Sequence, residues 1–167
     1  MANLARSLLT LTLGVLVVAG CGNGRLSKVE YILELRAIEA SDTAREAATV
    51  FTKMAVEDPA TRVPLLKRAE CAANARTLHR DLDEIVDRVD GLRPPAEVQR
   101  LQDRFVAAGR ETVDIIGGLT AELEKGDLTC GQPFNQRAYG LPSTKRAEDV
   151  IQELGRRGYI FGLNSGG

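Results

Sequence analysis

Two stretches of this chain set apolar side chains in alternating steps of three and four over six successive intervals. That spacing limits the fold more than any other feature. Cys71, Ala75, Leu78, Leu82, Ile85, Val89 and Leu92 form the first series, and Val98, Leu101, Phe105, Ala108, Thr112, Ile115 and Leu119 the second. Side chains so spaced share one face of an α-helix, whereas a half-buried strand would need a period of two. Gly91 and the Pro94-Pro95 pair break the chain between the two series, and Gly126 follows Lys125 where a helix would end. Thr61 is an N-cap for the first of these helices, with Pro64 inside its tolerant first turn.

An earlier segment, residues 26–57, carries Leu33, Ala37, Ala40, Ala44, Ala47, Phe51 and Met54 at the same kind of spacing, and Asp58-Pro59 ends it. Thr43 with Glu46 offers a capping box and so a break. The stripe keeps its phase across that point, which predicts one continuous helix. Residues 127–142 hold Gly131, Pro133, Gly140 and Pro142 without usable periodicity and read as an ordered loop. A shorter helix follows, capped by Ser143 or Thr144, burying Ala147, Val150, Ile151 and Leu154, and stopping at Gly158. Short loops make neighbouring helices antiparallel. The expected fold is all-α: an antiparallel bundle of three long helices plus a shorter C-terminal helix, one domain over residues 26–163 with a frayed tail at 164–167.

The N-terminal segment has a different character. Arg6 is its one charged residue, residues 8–18 are apolar apart from Thr10, Thr12 and Gly14, and small Ala19 and Gly20 lead into Cys21. Such a run is shorter than the ~20 residues a spanning helix needs, and its anatomy is that of a signal peptide. Val18-Ala19-Gly20-Cys21 resembles the lipobox of bacterial lipoproteins. The resemblance covers the leader alone and implies cleavage before Cys21, a diacylglyceryl group on its Sγ, and a chain held at the cell membrane or outer envelope, facing an extracytoplasmic compartment. Residues 1–20 are then the signal peptide and residues 21–25 a short tether. Two acyl chains anchor far more firmly than one, at about 0.8 kcal/mol per buried CH₂.

Outside the cytoplasm, the two remaining cysteines meet oxidising surroundings, which favour a Cys71–Cys130 disulfide over two buried free thiols. The chain carries 22 Lys+Arg against 23 Asp+Glu, a formal net charge of −1. This balance gives no electrostatic footprint for nucleic acid.

Catalytic chemistry finds little support. Cys130 with His79 as its base would make a thiol nucleophile, but a disulfide would consume the thiol. Asp83, Asp87 and Asp90 share a helix face and could collect a divalent cation, yet Arg80, Glu84 and Arg88 interleave with them as ordinary ion pairs, and nothing supplies six oxygen ligands. Met54 and His79 without clustered Cys or His build neither a haem nor a zinc site. No enzyme activity and no cofactor are expected.

Two features depart from a plain bundle. Tyr31, Leu35 and Ile38 lie away from the Val29-Leu33-Ala37 stripe, so this segment is apolar nearly all round and needs cover. The fourth helix and Tyr159-Ile160-Phe161 would supply it, or the face docks an envelope protein, a second copy of the chain or the membrane. Gly117-Gly118, with Gly109 before them, each cost about 1 kcal/mol relative to Ala in a helix interior. They point to close helix packing or to a slot for a ligand. The sequence thus reads as a lipid-anchored, non-catalytic envelope protein acting through protein contacts, with an alternative that holds a small apolar molecule between helices.

Overall fold

The computed structural model describes residues 24–61 and 63–159. The leader, Cys21, Ile160, Phe161 and the tail at 164–167 lie outside the described residues. Those described form six α-helices: α1 (Lys28–Glu39), α2 (Asp42–Ala55), α3 (Arg68–Asp90), α4 (Gln99–Lys125), α5 (Gln132–Ala138) and α6 (Pro142–Arg156). A 3-10 turn, Ala96–Val98, precedes α4, and no strand occurs among the described residues.

The expected single helix over residues 26–57 is two. Ser41 is the N-cap of α2: its hydroxyl accepts from the Ala44 N–H at 3.2 Å and donates to the Ile38 carbonyl at 2.6 Å, so one side chain satisfies groups of both helices. The break also changes the buried face. Tyr31 and Ile38 point inward on α1 and Ala47, Val50 and Met54 on α2, whereas Val29, Leu33, Ala37 and Ala40 face solvent. The apolar stripe expected to run inward along α1 is therefore its outer side. A capping box starts α1, with the Ser27 hydroxyl accepting from Glu30 N–H at 3.3 Å and the Glu30 carboxylate from Ser27 N–H at 2.7 Å.

The second helix starts at Arg68 rather than after Thr61. The Asp58 carboxylate instead accepts from the Ala60 and Thr61 N–H groups at 2.9 and 2.8 Å, which pulls Thr61 into a turn, and a bridge between Glu57 and Pro64 closes the loop. The two N–H donors hold the Asp58 carboxyl below its ordinary pKa. The expected loop at 127–142 contains α5, whose start is fastened to the end of α2. Gly131 N–H donates to the Met54 carbonyl at 2.9 Å and the Asn135 side chain to the Ala55 carbonyl at 3.2 Å. Orphan carbonyls of one helix so position the next. The end of α4 falls where Gly126 predicts, in the left-handed region at φ 89°, and α6 begins at Pro142, with Ser143 buried rather than capping.

Long-range pairs give the directions. Arg76 meets Glu124 and Asp83 meets Arg110 along an antiparallel α3–α4 pair. Thr43 bonds Glu84, and Glu46 pairs with Arg80, between α2 and α3; Thr112 bonds Ser143, and Arg146 pairs with Glu111, between α4 and α6. Thus α2 flanks one side of the central pair and α6 the other. Two hydrophobic cores result: one joins α2, α3, α4 and α5 around Met54, Leu78, Leu119 and Phe134, the other joins α1, α4 and α6 around Tyr31, Val98, Val150 and Tyr159.

Candidate functional site

The middle of both periodic seams is incompletely covered. Leu82, Ile85, Phe105, Thr112 and Ile115 are half-buried, although they hold the same stripe as fully buried Leu78, Val89, Ala108 and Leu119. A seam of this kind closes only where a third helix lies along it. Here the chain turns at Ser41, and α2 and α6 face each other across the seam instead of packing along one another.

The uncovered seam forms an apolar cleft with two hollows. One, about 180 Å³, is lined by Tyr31, Leu35, Ile38, Ile85, Phe105 and Leu154 among others; the second, about 400 Å³, by Ala47, Phe51, Leu82, Ile85, Thr112 and Thr144 among others. Ile85 borders both. The larger lies within the ~300–1,000 Å³ of small-molecule sites, whose walls are mainly apolar with few polar groups. Polar groups at its walls include the hydroxyls of Thr112 and Thr144, the former bonded to Ser143 at 2.9 Å, and Glu39 stands at the edge of the smaller hollow.

Tyr31, Leu35 and Ile38, the face in need of cover, therefore receive most of it from within the chain. Tyr31 is 1% exposed and Ile38 5%, and the Tyr159 ring stands edge-on to Tyr31 at 5.9 Å between centroids. What remains open beside them is a cleft rather than a flat docking face. Burial pushes the Tyr31 hydroxyl pKa up to about 12. Exposure is concentrated on the other side of α1, with Val29 66% and Leu33 57% accessible.

Two of the three glycines of α4, Gly109 and Gly117, serve packing. A Cβ on Gly109 would stand 2.7 Å from Val86 Cγ2, and one on Gly117 3.0 Å from His79 Nε2, whereas Gly118 faces open space. The cleft lies elsewhere, against Ile85 and Phe105. His79 is thus a neighbour that Gly117 admits, and the Cys130 sulfur is bonded to Cys71 with Cα atoms 5.9 Å apart. Asp83, Asp87 and Asp90 converge on a guanidinium: Arg110 bonds Asp83 at 2.9 Å, also bonds Asp87, and stands 3.7 Å from Asp90. No group of three His, Cys, Asp or Glu among the described residues is placed to hold a metal, and no described helix is long and apolar enough to cross a membrane.

Ile85, Phe105 and Ile151 were legible only as helix-core positions, because periodicity reports a shared face and not whether anything covers it. Comparison with protein-family models, with curated proteins and with solved structures finds no match in any of the three.

Proposed function

We propose that this chain is a lipid-anchored, non-catalytic protein of the bacterial cell envelope that holds a small apolar molecule in the cleft between α2 and α6. The observation that carries the binding role is the half-buried state of the seam residues Leu82, Ile85, Phe105 and Thr112, which a plain bundle would have closed. Walls without a cation or carboxylate in the larger hollow favour a guest with a hydrocarbon body, oriented by the Thr112 and Thr144 hydroxyls. The anchoring role rests on Val18-Ala19-Gly20-Cys21 closing a short apolar leader. Mass spectrometry of the N-terminal peptide from host membranes reads it: a diacylglyceryl-modified Cys21 supports it, and an unmodified peptide beginning at Met1 refutes it.

Titration with a fluorescent fatty acid tests the cleft. Saturable binding of one probe per chain is expected from the native protein, and weaker binding from Ile85→Trp, whose larger indole would intrude where the two hollows share a wall, at unchanged helix content. Absence of saturable binding, or equal binding by a folded Ile85→Trp chain, would refute the guest. A second reading, contact with an envelope protein or a second copy, is supported by the exposed Val29 and Leu33 of α1. Val29→Glu with Leu33→Glu would then abolish crosslinking in cells and leave probe binding intact.

A further inference from the structure

The tether leaves the bundle at a fixed place. Arg25 donates to the Pro94 carbonyl at 2.9 Å and to the Gln99 side chain at 2.7 Å, and Leu26 N–H donates to the Arg93 carbonyl at 2.7 Å. Four residues from Cys21 to Arg25 reach at most roughly 14 Å when fully extended. The 27 residues of α4 are roughly 40 Å long, so the end of the bundle bearing Arg25 stays close to the surface to which Cys21 is attached, and the opposite end reaches that surface only if the bundle lies flat.

That end carries a group of arginines. A hollow of about 470 Å³ opens there, lined by Ala96, Glu97, Arg100, Leu101, Arg104 and Arg157. Its walls carry three arginines and one glutamate, Glu97, whose carboxylate accepts the Tyr159 hydroxyl at 2.6 Å. Arg157 is held in place, donating to the Glu97 carbonyl at 3.0 Å and the Glu153 carboxylate at 2.8 Å. Arg100 and Arg104 are exposed and bond no group among the described residues. Arg100 is also the second residue of α4, at the positive end of the helix, where a cation is disfavoured and an anion favoured. An unpaired Arg100 at such a position costs local stability, and an arriving phosphate would offset it.

We infer that Arg100, Arg104 and Arg157 form a seat for the phosphate of an anionic phospholipid headgroup, which holds the bundle end-on against the bilayer that anchors Cys21. The inference rests on the lipid-anchor reading. Attraction between basic residues and an anionic membrane fades within about 10 Å at moderate salt, a distance that the short tether lets this end enter.

The test uses the chain extracted from host membranes and reconstituted into phosphatidylcholine vesicles, with and without phosphatidylglycerol, followed by hydrogen exchange of residues 93–104. Exchange there is expected to slow roughly tenfold only where phosphatidylglycerol is present, and an Arg100→Glu, Arg104→Glu chain is expected to lose that difference while melting no lower than the native chain. Equal exchange in both vesicles, or a difference that survives the double reversal, overturns the inference. So does equal protection from inorganic phosphate added to phosphatidylcholine vesicles. Failure of the anchor reads out separately, as a chain that does not float with phosphatidylcholine vesicles. For such a chain, flotation with phosphatidylglycerol that depends on Arg100 and Arg104 still supports the seat, and absence of flotation overturns it.

Discussion

At the scale of single residues, the glycines of α4 show how surroundings decide the sign of one substitution. Gly118 has nothing within 4 Å of a would-be Cβ, so Gly118→Ala recovers helix propensity and should raise stability by about 1 kcal/mol. Gly109 faces the buried Val86, and overpacking outweighs propensity: Gly109→Ala should lower stability by up to about 2 kcal/mol. Urea unfolding of both variants checks the pair. Tyr31 and Tyr159 give a pH dependence. Burial lifts the hydroxyl pKa of each to about 12, and in Tyr159 the bond to Glu97 adds to it. A folded-state pKa above the unfolded value of 10 contributes stability that is complete below pH 10 and lost as pH rises towards 12. Absorbance titration of phenolate should show two tyrosines ionising late, with unfolding in the same interval. The arginines at 100 and 104 were invisible in a net charge of −1; the spacing of two cations in the first turns of a helix was the signal that charge counting passed over.

At the scale of elements, legibility depended on the source of the signal. The long helices α3 and α4 and the stop at Gly126 were readable because six intervals of regular spacing and one left-handed glycine act locally. The division of α1 from α2 was missed because an alanine stripe that keeps its phase says nothing about where it points; the polar Ser41 beside Asp42 was the better signal. Helix α5 was missed because seven residues carry too little periodicity, and its start is fastened by the Met54 and Ala55 carbonyls of another helix. The Cys71–Cys130 bond ties this junction to α3 across 59 residues of sequence. Closing a loop of that length stabilises by about 4 kcal/mol in the chain-entropy model. Replacing both cysteines by serine should cost that much in denaturant unfolding, and reductant should then have no further effect.

At the scale of the whole molecule, the consequence of the break at Ser41 is a bundle with two cores and an apolar cleft between them. A guest bound there and absent from the unfolded chain would stabilise the fold by about 2.7 kcal/mol at a hundred times its dissociation constant. Calorimetric melting with the fluorescent fatty acid should rise accordingly for the native chain and stay fixed for Ile85→Trp. The amino-acid sequence by itself determined that the described residues are helical and where the longest helices run. Propensity, spacing and turn chemistry are properties of neighbours along the chain; the Cys71–Cys130 pair was expected instead because a lipidated Cys21 would leave those two cysteines in oxidising surroundings. Tertiary structure alone decided that Tyr31 and Ile38 turn inward while Val29 and Leu33 turn out, and that the seam stays open at Ile85. It also gathered Arg100, Arg104 and Arg157 around one hollow. The physical reason is that an apolar face states only that cover is favourable, and which surface supplies the cover depends on helices far apart in sequence meeting at fixed distances and angles.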